Sequence, residues 1–189
     1  MSIIETVDED EATGFVAEVY AKEVKDLGYV ASHTKMMTVN PEAYAAFEQL
    51  MRAIIAQLGR RRFELVTLAA AEAVHSQACR LAHGRKTLKL MDEDQLVRVA
   101  RDYHDADLSD AEVAMMEFAE RVVTDSADMT DADSLRLREL GFSDREIVDI
   151  TLAASVRGYF SRALQALAVE PDSPPDLSPR LRGALLAPL

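Results

Sequence analysis

The sequence has one cysteine, no tryptophan and only 6% aromatic residues. A single cysteine excludes an intrachain disulfide framework. With so few rings, the core has to be built from Ala, Leu, Val, Ile and Met. No apolar run approaches the ~18 residues that a membrane-spanning helix needs. The opening MSIIETVDEDEATG lacks a basic region followed by an apolar stretch, so no secretory signal is expected. Basic residues are also scarce: 21 Lys and Arg stand against 33 Asp and Glu, a formal net charge of −12. That balance argues against nucleic acid and anionic membranes as partners. Neither a flavin nor a nicotinamide fingerprint is present, no alternating strand pattern stands out, and no cofactor is expected. Together these features point to a cytoplasmic protein. Its 189 residues, 49% of them hydrophobic, suit one globular domain.

Apolar spacing at three and four residues predicts an all-α chain of about seven to eight helices. The first spans about 8–27 and stops at Gly28. Residues 28–40 read as a connecting loop, with His33 making a polar loop or interface contact or lying near a pocket. Asn40-Pro41 starts a helix to about Leu58. Arg60-Arg61-Arg62 reads as a solvated helix start or a source of salt bridges. After a central unit over 64–89, helices are predicted over about 92–103, 110–125, 130–140 and 144–168. Ser109-x-x-Glu112 and Ser143-x-x-Glu146 have capping-box spacing. The domain is placed at 1–170. From 171 to 189 the Pro-, Ser- and Asp-rich EPDSPPDLSPR and the apolar LRGALLAPL read as an extended arm, either docked or frayed.

The central unit, ELVTLAAAEAVHSQACRLAHGRKTLK, carries the only cysteine and two of the four histidines. An unbroken helix would hold Glu64 and Cys79 ~22 Å apart, too far for shared chemistry. A break at His75-Ser76, with Ser76 as N-cap, lets the two halves fold together. Cys79 then lies in the first turn of the second helix with His83 one turn on. A helix N-terminus and an imidazole favour a thiolate, and Glu64 can orient the imidazole or take its proton. Alone, each residue has an ordinary structural reading: a small core thiol, a satisfied histidine, a first-turn glutamate. His75, Cys79 and His83 share helical spacing, but no further ligand completes a metal set.

This pattern resembles the alkylhydroperoxidase D-like and carboxymuconolactone decarboxylase superfamily. Its peroxidase-like members carry a Glu, C-x-x-C twelve residues later, and a His after three more. Glu64, Cys79 and His83 match, while Ser76 stands at the first cysteine. GYVASHTKMMTVNPEAYAAFEQLM upstream and LSDAEVAMMEFAERVVTDSADMTDADSLRLRELGFSDREIVDITLAA downstream are similar too, so the likeness spans roughly residues 25–170. The resemblance implies a helical fold, a homo-oligomer (trimer or hexamer), and thiol-dependent reduction of a peroxide or other small organic substrate. Cys79, His83, Glu64 and Ser76 would be the catalytic set, with Ser76 capping the helix or bonding the sulfur or the peroxide. Ser76 cannot form the family's disulfide, so an external thiol or reductant protein would restore the site.

A weak internal repeat aligns 64–82 with 146–164 at an offset of 82 residues: Glu64 with Glu146, Arg80 with Arg162, Cys79 with Ser161 and Ser76 with Gly158. It places Tyr159 and Arg162 within reach of a pocket. Tyr159 and His75 are the candidate substrate-binding side chains. Two other readings compete. One is decarboxylase-like acid–base work by His83 and Glu64, with Arg80 or Arg85 holding a carboxylate. The other is an inactive small-ligand-binding oligomer.

Overall fold

The small apolar run ahead of His75 becomes the axis of the fold. The computed structural model describes residues 2–187, and positions 188 and 189, the end of the expected arm, lie outside them. Ten α-helices are present among the described residues: α1 Gly14–Leu27, α2 Ser32–Met37, α3 Pro41–Leu58, α4 Arg60–Ala73, α5 Gln77–Thr87, α6 Glu93–Arg101, α7 Asp110–Thr124, α8 Asp131–Glu139, α9 Asp144–Ala166 and α10 Pro179–Leu186. No strand occurs among them, and no helix is long and apolar enough to cross a membrane. Every residue of α4 from Phe63 to Glu72 is buried. A helix enclosed on all sides needs small faces, and Ala69, Ala70 and Ala71 supply them for α5, α7 and α9.

Local signals set most helix ends. The Asn40 side chain accepts a hydrogen bond from the Ala43 N–H at 3.0 Å, with Pro41 at the first helical position. Ser109 and Ser143 form complete capping boxes with Glu112 and Glu146. The basic cluster at the head of α4 is a set of salt bridges: Arg60 to Glu64, Arg61 to Glu112 and Arg62 to Glu146.

The count exceeds the expected seven to eight because of α2 and α10, and α1 begins at Gly14 rather than near residue 8. Helix α2 lies inside the stretch read as a loop. Its first N–H groups are satisfied by carboxylates distant in sequence. Glu23 accepts from the Ala31 N–H at 2.9 Å, and Asp172 accepts from the Ser32 N–H at 2.9 Å and its hydroxyl at 2.6 Å. No local cap announces such a helix. After an irregular stretch over 171–178, Ser178 caps α10. Leu181, Ala184 and Leu185 of α10 are buried against α5 and α6. Gly84 makes this seat: a Cβ there would fall 2.5 Å from Leu185 Cδ1.

Candidate active site

The break between α4 and α5 is built by backbone hydrogen bonds. His75 takes a left-handed conformation (φ 54°), its N–H donates to the Glu72 carbonyl, and the Ser76 N–H donates to the Ala71 carbonyl, each at 2.8 Å. This is the six-to-one and five-to-two pattern that closes a helix and reverses the chain. Ser76 stands at the N-cap of α5, but its hydroxyl makes no capping bond. It is buried, and its hydroxyl helps to lower the Cys79 thiol.

Folding α5 back against α4 brings Glu64 to His83, with Glu64 Oε2 at 2.6 Å from His83 Nδ1. Both are buried. Burial pushes the Glu64 carboxyl up, but His83, Lys86 and Arg60 outweigh it and hold the carboxyl below its ordinary range. Burial, then the charges of Arg157 and Lys86, drives the imidazole down to about 3. At neutral pH the pair is therefore a carboxylate and a neutral imidazole. Nδ1 carries the proton towards Glu64, and Nε2 is left with its lone pair.

The thiol has different neighbours. Arg157 Nη1 and Ser161 Oγ, both from α9, each donate to Cys79 Sγ at 3.3 Å. Burial raises the thiol, yet the Arg157 charge and the hydrogen bonds from Ser161, Ser76 and Arg157 bring it below its ordinary value. Arg157 is only 3% exposed. No carboxylate among the described residues lies within ion-pair distance of it, and its Nε has no hydrogen-bond partner. Its guanidinium lies over the Phe160 ring, 5.4 Å from the centroid.

Cys79, His83, Glu64 and Arg157 all border one cavity of about 910 Å³. Phe15, Tyr44, Phe47 and Phe160 form an aromatic wall, Phe47 stacking on Phe160 at 4.7 Å between centroids. His33, on α2, also borders the cavity, edge-on to Phe160. Lys86 borders the cavity too, with its side chain exposed. Among the described residues no cluster of His, Cys, Asp or Glu could hold a metal ion.

The structure thus gathers Glu64, Ser76, Cys79 and His83 into one region, with His83 joined to Glu64 and the sulfur joined to Arg157 and Ser161. His75 borders a separate small depression with Gln77 and Gln165. Tyr159 is half-exposed, packing its ring on Phe47 outside the cavity lining. Arg80 is turned away as well: it pairs with Glu72 at 2.8 Å and donates to the carbonyls of Ala100, Ala184 and Ala187. Arg85 borders the cavity but pairs with Asp176 at 2.6 Å.

Sequence reasoning missed Arg157 and Lys86, and it named Ser161 only as a silent counterpart of Cys79. The repeat held the signal. At an offset of 82 residues, Ser161 and Cys79 are matched positions, and they touch. The matched arginines behave alike too: Arg80 donates to the Ala100 carbonyl near the end of α6, and Arg162 to the Val123 carbonyl near the end of α7.

No protein-family model matches the sequence, and no curated protein matches it. Solved structures do. An uncharacterized peroxidase-related protein from Ralstonia eutropha JMP134, described as an alkylhydroperoxidase AhpD core, superposes with a TM-score of 0.81 at 22% identity, over 100% of this chain and 98% of that one. This chain has the alkylhydroperoxidase D-like fold. A peroxidase-related protein from Silicibacter sp. TM1040 gives a TM-score of 0.78 at 24% identity, over 89% of this chain and 92% of that one. The debrominase Bmp8 gives 0.76 at 16% identity, over 97% and 96%. A cysteine-to-alanine variant of that debrominase, in complex with 2,3,4-tribromopyrrole, is similar as well. Within this fold, α4 and α5 carry the Glu, Cys and His, and α9 supplies the cation.

Proposed function

We propose that this protein is a thiol-dependent, peroxidase-like oxidoreductase of the alkylhydroperoxidase D-like superfamily, with Cys79 as its nucleophile. The observation that carries this reading is the buried sulfur held between the Arg157 guanidinium and the Ser161 hydroxyl in a cavity wall. Arg157 and the hydroxyls stabilise the thiolate. His83, through Nε2, takes the thiol proton across the helical turn between the two residues, and Glu64 balances the transient imidazolium. The thiolate then attacks the terminal oxygen of a hydroperoxide. An S–O bond forms, the O–O bond breaks, and the leaving alkoxide takes the proton from His83 to become the alcohol. Sulfur is oxidised to a sulfenic acid as the peroxide is reduced. An external thiol condenses with the sulfenic acid, releasing water and leaving a mixed disulfide. A second thiol resolves it and restores Cys79. Ser76 takes the place of a resolving cysteine, so the reductant comes from outside the chain.

The aromatic wall also favours a second reading, in which the same thiolate debrominates an aromatic substrate, as the name of Bmp8 describes for that protein. The carboxylate-binding decarboxylase reading loses Arg80, which is engaged by Glu72 and backbone carbonyls. Val148, Leu152 and Tyr159 leave exposed apolar surface along α9, and we assign it to contact with further copies of the chain. Sedimentation of Val148→Lys against the parent tests this.

The deciding experiment is the alkylation rate of Cys79 against pH, followed by trapping of sulfenic acid after mild peroxide, with His83→Ala and Glu64→Gln in parallel. Reactivity that persists below the ~8.5 of a free thiol, and sulfenic acid whose yield falls in the variants, supports the peroxidase. Bromide release without sulfenic acid supports the debrominase. An inert thiol overturns both and leaves the ligand-binding oligomer.

A further inference from the structure

Restoring an oxidised Cys79 needs a second reactant, and the surroundings of the sulfur decide what can reach it. Cys79 is 3% exposed. It lies in a buried cluster with Val19 and Tyr20 of α1, Tyr44 of α3, Ala71 of α4, and Phe160 and Leu164 of α9, so four helices pack around the one that carries it. It also borders the cavity of about 910 Å³. No residue of the chain relays the oxidation outward. Cys79 is the only cysteine, and Ser76, at the other position of the motif, is itself buried.

Disulfide geometry fixes how close a reductant's backbone must come. The Cα atoms of two bridged cysteines lie about 4.4–6.8 Å apart, whereas a single helix with its side chains is about 10 Å across. A folded protein bridged to Cys79 would therefore put its own main chain inside the shell of α1, α3 and α9. A free thiol of low molecular weight brings no such main chain. The cavity volume lies in the range that holds drug-sized organic molecules. Glu18, Lys22 and Asp26 of α1 and Lys86 and Lys89 of α5 line it with exposed charges of both signs, so a polar molecule can enter without losing all its polar partners.

We infer that the reductant of Cys79 is a low-molecular-weight thiol that enters the cavity, and not a protein thiol. The inference rests on the peroxidase-like reading of the same site and deepens it by naming the class of the second substrate. One small thiol attacks the sulfur of the Cys79 sulfenic acid. An S–S bond forms, the S–O bond breaks, and the oxygen leaves as water. A second small thiol attacks the outer sulfur of that mixed disulfide. Cys79 departs as thiolate, and the two small thiols leave as their disulfide, having supplied both electrons.

Thiol–disulfide exchange at Cys79 needs no peroxide, so the test separates the two claims. Two reagents with the same leaving group are compared on the full chain: glutathione 2-pyridyl disulfide, and a single-cysteine thioredoxin carrying the 2-pyridyl group on its exposed cysteine. Attack by the Cys79 thiolate on the cysteine sulfur of either reagent forms a mixed disulfide and releases 2-thiopyridone, read by absorbance, with the adduct identified by mass. The glutathione reagent is expected to react about a hundredfold faster on the folded chain, and the ratio should fall below about tenfold once urea has unfolded it. Ala82→Trp narrows the cavity three residues from Cys79 on α5. It should slow the glutathione reagent about tenfold while circular dichroism is unchanged. Comparable rates from both reagents on the folded chain, no reaction with either, or an unchanged glutathione rate in folded Ala82→Trp overturns the inference. Peroxide turnover sustained by reduced thioredoxin overturns it as well. The expected ratio in a chain that forms no sulfenic acid with peroxide overturns the peroxidase reading and leaves Cys79 as an exchange site for small thiols.

Discussion

Replacing Arg157 with methionine removes the cation that bonds the thiol and keeps most of the side-chain volume. Arg157 Nη1 is 3.3 Å from Cys79 Sγ, so the delocalised charge is centred roughly 4 Å from the sulfur. At an effective dielectric of about 20, opposite charges at that distance attract by about 4 kcal/mol, equivalent to about 3 pKa units. Water in the cavity reduces this, and burial, which already pushes the thiol up, remains in the variant. Arg157→Met should therefore raise the thiol pKa by about 2 to 3 units. Near pH 7 the thiolate fraction falls about 100-fold, while the more basic sulfur regains about tenfold in nucleophilicity per thiolate. The net effect is a loss of about tenfold in iodoacetamide alkylation near pH 7 and a gain at alkaline pH, so the two pH–rate profiles cross. Because Arg157 has no carboxylate partner, its removal should not lower the thermal midpoint of the reduced protein. A thiol pKa that moves by less than about half a unit in a folded variant, or profiles that never cross, would refute the electrostatic account of Cys79.

Three further outcomes follow from the same geometry. Ser76→Cys places a second sulfur three residues ahead of Cys79, at the N-cap of the helix that carries it. Oxidised glutathione should then yield an intramolecular disulfide, read as loss of both free thiols without dimer formation, whereas two persisting thiols would show the spacing to be wrong. Ala168→Gly relieves a left-handed alanine (φ 51°) in the turn that closes α9. It should raise stability by about 1 kcal/mol in a urea titration, and a loss would contradict the strain argument. The third outcome is a pH dependence. His83 is held at about 3 in the folded chain against an ordinary 6.5. Below about 6.5 the unfolded chain gains a proton that the folded one refuses. The stability from the neutral imidazole is thus complete above that pH and is lost as pH falls towards about 3, at up to ~1.4 kcal/mol per pH unit. His83→Gln should flatten the acid limb of a stability–pH curve by that slope, and an unchanged limb would place the proton uptake elsewhere.

What could be read in the sequence was whatever depends on neighbours along the chain. Helix periodicity, the Asn40-Pro41 start and the two serine capping boxes are local, and each is found where its residues stand. The break at His75-Ser76 was legible as well, but for a different reason than capping. The turn is made by a left-handed His75, and the Ser76 hydroxyl makes no capping bond. Where partners are distant, the signal vanished. Helix α2 is capped by Glu23 and by Asp172, the latter 140 residues from Ser32. Arg157 is 78 residues from the thiol it bonds. In a helix of mixed character, an arginine reads as surface until its neighbours are known. Only the offset of 82 residues linked the two halves, and it linked Ser161 to Cys79 without revealing that the matched positions meet. Composition misled in a more instructive way. A net charge of −12 argues against anionic partners of the surface as a whole, yet it says nothing of the field inside the cavity. There, a buried arginine without a carboxylate partner among the described residues faces the sulfur and sets its field.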